Sequence, residues 1–223
     1  MYMEILFDDK IRAAAPGLTV VAIEADVTNG PTTDDLWQLL QRAAADIAAV
    51  TELSDINRRP AILATREAYK ALGKDPNRYR PSAEALTRRA VRGLGLYRIN
   101  TLVDLINLLS LQSGYSIGGF DASLIEGSTL TLGVGEEGEP FEGIGRGPLN
   151  IHGLPVYRDA IGGIGTPTSD NERTKLSEST SRLLICINIY GEEMPPRDVA
   201  AYAVDLLEHW AEAQNITVQY FRP

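Results

Sequence analysis

Apolar positions along the chain fall into short runs and helical stripes, mixed without a regular strand–helix rhythm. Residues 4–7 and 18–27 are apolar stretches, and Leu18-Thr-Val-Val-Ala-Ile-Glu is rich in β-branched side chains. Both predict strands, with a turn at Pro16-Gly17 between them. From Asp34 to Val50 the residues Leu36, Leu39, Leu40, Ala43, Ala44 and Ile47 recur at helical spacing, behind two acids that suit a helix N-terminus. A second helix is predicted over Pro60–Leu72, ended by Gly73. A third opens at Arg80-Pro-Ser, with Ser82 as N-cap and Glu84 in the first turn, and closes at Gly93 and Gly95. A fourth runs from Ile99 to Ser113 with a broad apolar face.

Beyond Gly114 the texture changes to glycines, prolines and short apolar runs. Thr129–Val134, Leu154–Tyr157 and Arg182–Tyr190 predict strands, Arg197–Gln214 the last helix, and Ile216–Phe221 a final strand. With neither internal repeat nor low-complexity tract, this alternation predicts an α+β (mixed α/β) fold. The 223 residues suit a single domain, 1–223.

Charge adds a local feature to this outline. The chain carries a net charge of −9, which opposes non-specific nucleic-acid binding. Yet Arg58–Arg98 holds eleven Lys or Arg against three acids, Glu67, Asp75 and Glu84. Such a stretch is either a footprint for phosphates or a set of solvated helix faces. No apolar run is long enough to span a bilayer, and the acidic N-terminus is unlike a signal peptide. The lone cysteine, Cys186, allows no internal disulfide. A reducing cytoplasm is therefore the expected location.

Familiar catalytic signatures are absent: there is no phosphate-binding loop of the Walker type and no nucleophile elbow. One cysteine and two histidines, His152 and His209, make no zinc spacing, and neither metal nor cofactor is expected. Cys186 sits in the apolar run Leu183-Leu-Ile-Cys-Ile, where a buried inert thiol is expected. Three polar clusters remain. Arg80-Pro-Ser-Ala-Glu-Ala-Leu-Thr-Arg-Arg opens a helix. Asn100, Asp104 and Asn107, spaced four and three apart, would line one helix face, as a pocket wall or as a satisfied buried network. The stretch from Gly162 to Lys175 combines glycines, which let a ligand approach backbone, with Thr166, Thr168, Ser169 and Asp170.

These clusters carry a resemblance. Arg80-Pro-Ser-x-Glu-Ala-Leu-x-Arg-Arg, Tyr97-Arg-Ile-Asn-Thr-Leu-Val-Asp-Leu-Ile-Asn, Gly119-Phe-Asp and the Thr168-Ser-Asp-x-x-Arg-Thr loop resemble freestanding proteins of the B3/B4 domain family. The middle motifs also resemble the B3/B4 domain of the phenylalanyl-tRNA synthetase β subunit, which hydrolyses wrongly charged tRNA. The resemblance implies a B3/B4-like core over about 60–190, an N-terminal extension over 1–57 and a C-terminal helix–strand unit over 196–223. It also implies an ester-hydrolysing pocket for an aminoacyl adenosine. Asn107 matches the family's pocket asparagine, and Gly162 and Gly165 match glycines that floor the pocket. The family's histidine falls on Gly118 and its threonine on Ile106, and no acid stands at 186–188, so tyrosine specificity is not implied.

The expected roles combine that resemblance with the polar clusters and the basic segment. Asn107 and Asp170 would be catalytic, with Asp170 orienting water. Asn100, Asp104, Gly162, Gly165, Thr166, Thr168, Ser169 and Arg173 would bind substrate. Arg78, Arg80, Arg88, Arg89 and Arg92 would contact tRNA. The expected function is editing of aminoacyl-tRNA in trans, as part of translation quality control. The alternative is a binding module for an amino-acid-like molecule, tRNA or a protein partner. Neither DNA nor a membrane is expected as a partner.

Overall fold

The structure is a computed structural model and describes residues 3–223. The chain opens with strand β1 (Glu4–Phe7), helix α1 (Asp9–Ala14) and strand β2 (Thr19–Asp26). Helices α2 (Asp34–Val50), α3 (Pro60–Ala71), α4 (Ser82–Val91) and α5 (Thr101–Ser113) follow. Strands β3 (Ser116–Asp121) and β4 (Thr129–Val134) lead to a small hairpin of β5 (Glu142–Gly143) and β6 (Gly147–Pro148). The chain ends with β7 (Pro155–Arg158), β8 (Gly163–Gly165), β9 (Arg182–Ile189), helix α6 (Pro196–Ala211) and β10 (Gln214–Phe221). This is the expected α+β class.

Helix starts show how side chains choose boundaries. Thr33 caps α2, its hydroxyl accepting the Leu36 N–H. Asn100 caps α5 from extended backbone, its side chain accepting the Val103 N–H at 3.0 Å. The N-cap assigned to Ser82 is corrected: Pro81 is the cap, and Ser82 is the first helical residue. The Ser82 N–H instead donates to the Pro167 carbonyl at 2.7 Å, which ties α4 to the loop after β8.

Two four-stranded sheets stack, in the orders β1-β4-β7-β8 and β10-β2-β9-β3. The second sheet is antiparallel throughout, with Val21 opposite Ile187 on β2–β9 and Gly118 opposite Cys186 on β3–β9. Alternate residues point to opposite faces. Val21, Ile23, Leu183, Ile185 and Ile187 meet α2, α5 and α6 in one core. Val20, Ala22, Leu184 and Cys186 meet Ile5, Leu130, Leu132 and Phe120 in another. The second sheet is thus buried on both faces between helices and the first sheet. This explains why β9 reads as an almost unbroken apolar run. Its one interior polar residue, Asn188, accepts a hydrogen bond from the Tyr157 hydroxyl at 2.6 Å and donates to the Ser116 carbonyl. Strand β3 forms one edge of this sheet, and α4 and α5 pack along it. Among the described residues no helix is long and apolar enough to cross a membrane.

Candidate functional site

Beside edge strand β3 a cavity of about 750 Å³ opens, within the range of small-molecule sites. Helices α4 and α5, strand β3, the loop after β8 and the tip of the β5–β6 hairpin enclose it. Its apolar wall includes Leu86, Val103, Ile106, Ile117 and Leu176. Asn107 and Ser110 add polar groups from α5, while Thr166, Thr168, Ser169 and Asp170 come from the loop. Among the described residues none hydrogen-bonds the Asn107 carboxamide, so its donors and acceptor are available to a ligand.

Asp170 is held where a side chain has little room. The backbone N–H of Gly119 donates to one carboxyl oxygen at 3.2 Å. A Cβ on Gly165 would stand 2.7 Å from the other oxygen and 2.6 Å from the Phe120 ring; one on Gly118 would stand 2.7 Å from that ring. Glycine at 118 therefore lets Phe120 and the Asp170 carboxyl pack under β3. A histidine at this position, as in the family pattern, would have to displace the Phe120 ring. Gly119 in turn lets α5 approach: its Cβ would lie 2.4 Å from the Ile106 Cδ1. Burial pushes the Asp170 carboxyl up to about 7, against the Gly119 hydrogen bond, although part of the residue remains accessible at the cavity wall. A carboxyl near 7 can exchange a proton at neutral pH.

The side chains lining the cavity are mostly basic, with Glu84 and Glu172 just behind them as partners of Arg88 and Lys175. Arg80, Arg88, Arg89, Arg92, Arg146 and Lys175 line it, and Asp170 is the one acid among its lining residues. The arginines are not equivalent. Glu84, 1% exposed, accepts from Arg66 and Arg88 at 2.8 Å each, and Arg80 lies 3.8 Å away. Arg88 also donates to Asn57 Oδ1 at 2.7 Å. It is therefore a structural partner of a buried carboxylate, and its expected role as a tRNA contact gives way to that task. Arg89 donates to the carbonyls of Leu94 and Gly95, and its guanidinium sits 4.0 Å from the Tyr97 ring. Arg92 and Arg146 have no hydrogen-bonding or ion-pair partner for their side chains among the described residues. Arg78 lies outside the cavity lining, 5.6 Å from the Tyr79 ring.

Several residues expected at the site lie elsewhere. Asn100 precedes the helix as its cap, so helical periodicity does not carry it onto the Asn107 face. Asp104 is fully buried and accepts from Thr32 Oγ1 at 2.5 Å and from the Ile99 N–H at 3.3 Å. Burial pushes its carboxyl up, opposed by Thr32, Ile99 and Arg98, and it anchors the start of α5. Gly162 donates its N–H to Asp159, which also receives two bonds from Arg173 at 2.8 and 2.9 Å. Both therefore belong to a turn outside the cavity lining.

The hydroxyl-rich loop also proves partly self-directed. Thr166 Oγ1 accepts the N–H groups of Thr168 and Ser169, and Thr168 shares a 2.9 Å bond with the buried Tyr69 hydroxyl. Arg146, Leu94 and Ile144 also line the cavity and fall outside the sequence clusters that mark the site. Gly145-Arg146-Gly147 marks a hairpin tip, but only the fold brings it to the cavity. His152 lies outside the cavity lining, and Cys186 is wholly buried with its thiol pushed up by burial and by the Asp170 and Glu24 charges.

Comparison with known proteins agrees with this architecture. No curated protein matches the sequence. A crystal structure of an N-terminal fragment of the phenylalanyl-tRNA synthetase β-subunit from Pyrococcus horikoshii superposes with a TM-score of 0.51 at 13% identity. The match covers 100% of this chain and 55% of that one, and at this identity it shows a shared fold. The family model described as the B3/4 domain matches residues 64–195, more than half of the chain, and spans the cavity from α4 through β9. The chain therefore belongs to the B3/4 domain family.

Proposed function

We propose that the cavity receives the aminoacyl end of a tRNA and hydrolyses its ester, releasing an amino acid attached in error. One observation carries the reading: an apolar cavity is lined by arginines, of which Arg92 and Arg146 have no side-chain partner among the described residues, and by a single carboxyl, Asp170, raised to about 7. The apolar wall suits an amino-acid side chain, the cations suit ribose-phosphate, and the acid suits a proton transfer. Membership of a family with a domain in a tRNA synthetase agrees with such a substrate.

In the proposed reaction a water attacks the ester carbonyl carbon while the ionised Asp170 takes its proton. The Asn107 carboxamide donates to the oxygen on which negative charge develops. The tetrahedral intermediate then collapses, the bond from carbon to ribose oxygen breaks, and the Asp170 proton passes to that oxygen. The products are a free amino acid and a tRNA with its terminal hydroxyl restored. A panel of misacylated tRNAs incubated with the purified protein tests this. Faster loss of at least one amino acid than in buffer is expected; buffer rates across the panel would remove the hydrolytic reading.

A second reading, binding without chemistry, is favoured by one feature. Gly118 stands where the family pattern has a histidine, and Asp170 is the one carboxylate among the described residues that line the cavity. Saturable binding of uncharged tRNA or an amino acid with no deacylation would support that reading instead.

A further inference from the structure

We infer that the outer rim of the cavity stacks a base of single-stranded RNA on Tyr97, and that this gripped nucleotide precedes the one inside the cavity. The inference rests on the reading above for the direction of the strand. Tyr97 lies in the segment between α4 and α5 and is 66% exposed. Positive φ angles of +66° at Gly93 and +67° at Gly95 shape that segment. Arg89, fixed by the Leu94 and Gly95 carbonyls, holds one side of the ring through its guanidinium and also lines the cavity. The aromatic platform is thus joined to the cavity wall by a residue that belongs to both.

The neighbours of Tyr97 complete the rim. Leu94 and Ile99, 58% and 54% exposed, flank Tyr97 in the sequence and line the cavity, and Ile144 with Arg146 lines it from the hairpin tip. Arg92 and Arg146, whose side chains have no protein partner among the described residues, offer charge for two phosphates. An exposed aromatic face joined through Arg89 to a cavity that unpaired cations also line suits single-stranded nucleic acid, because every base has a flat face and every nucleotide a charge. An acidic peptide would use the cations but gain little from the ring. The protein's net charge of −9 confines attraction for a polyanion to this local patch.

The test is equilibrium binding of the ribotrinucleotide cytidine-cytidine-adenosine and of adenosine monophosphate, at fixed salt. Tyr97 is exposed, so its variants should fold, with circular dichroism as control. Tyr97→Ala should bind the trinucleotide about ten-fold more weakly, while Tyr97→Phe retains affinity and adenosine monophosphate binding does not change. Unchanged trinucleotide affinity in Tyr97→Ala would overturn the inference, as would wild-type affinity in Tyr97→Leu, or an acidic peptide that displaces the trinucleotide and shows the same dependence on Tyr97. Loss of the hydrolytic reading is separable: a protein that deacylates nothing but whose trinucleotide affinity follows Tyr97 keeps the stacking rim. One that deacylates while ignoring Tyr97 loses only the rim. No binding of the trinucleotide by the wild type also overturns it.

Discussion

Replacing Asp170 with asparagine should stabilise the protein at neutral and alkaline pH while removing its proposed base. The carboxyl rises from an ordinary value near 3.8 to about 7, chiefly through burial, so the folded state binds its proton more tightly than the unfolded state. Between those values the folded protein holds a proton that the unfolded chain has lost, and folding stability falls as pH rises. Below about pH 4 both states are protonated and the penalty vanishes; above about pH 7 it is complete. A shift of this size corresponds to roughly 4 kcal/mol, and water at the accessible part of Asp170 lowers that to roughly 2–4 kcal/mol. Asparagine has nearly the same shape, and its carbonyl can still accept the Gly119 N–H. Asp170→Asn should match the wild type in melting temperature near pH 4. Its advantage should grow to about 5–10 °C at pH 8. Thermal unfolding of both proteins from pH 4 to 8.5 measures this. A disadvantage that increases with pH would refute the reasoning, because it would mean that the ionised carboxylate is stabilised by a partner in the fold. Such a trade of stability for activity is common at functional sites.

The remaining predictions concern charge and the cysteine. Glu84→Gln leaves Arg66 and Arg88, 9% and 16% exposed, without their buried carboxylate, and should cost roughly 3–5 kcal/mol in denaturant unfolding; a loss below about 1 kcal/mol would contradict the ion-pair account. Arg88→Glu should unfold the protein for the same reason, so RNA affinity is better tested by Arg92→Glu with Arg146→Glu. That pair should weaken binding and reduce the slope of log affinity against log salt by about 1–2; an unchanged slope would remove these residues from the phosphate path. Cys186→Ser should keep most of any hydrolytic activity, since the wholly buried thiol is pushed up and stays protonated. It should still lose about 1–3 kcal/mol of stability, because its hydroxyl lies between the two sheets. Activity lost in a folded Cys186→Ser protein would point to a thiol nucleophile.

Where periodicity and capping agree, the sequence reads well. Helix α2 occupies the residues its apolar stripe predicts, with acids and a threonine cap at its start. Strand β4 likewise has its predicted bounds. Strand β3 has no apolar signature of its own because Gly118 and Gly119 interrupt it, and both glycines are there for close approach by Phe120, Asp170 and Ile106. Asn100 and Asp104 share a spacing with Asn107 but not a task, because one caps the helix and the other binds Thr32 across to the segment before α2. The arginine-rich stretch was visible as charge alone. Which arginines answer to Glu84, which to Tyr97 and which to a ligand depends on contacts made only on folding. Asp170 was visible as a carboxylate in a glycine-rich loop, whereas its proximity to neutrality comes from burial beside β3.

Single-turnover deacylation is the most direct test of the proposed hydrolytic site. The substrate is the misacylated tRNA that the wild type clears fastest, and circular dichroism serves as the folding control. Wild-type rates should rise with pH through a midpoint near 7, as Asp170 ionises. Asn107→Ala should be strongly slowed, and Asp170→Asn should fall to the buffer rate at every pH. Folded Asp170→Asn protein that deacylates at the wild-type rate would contradict the account.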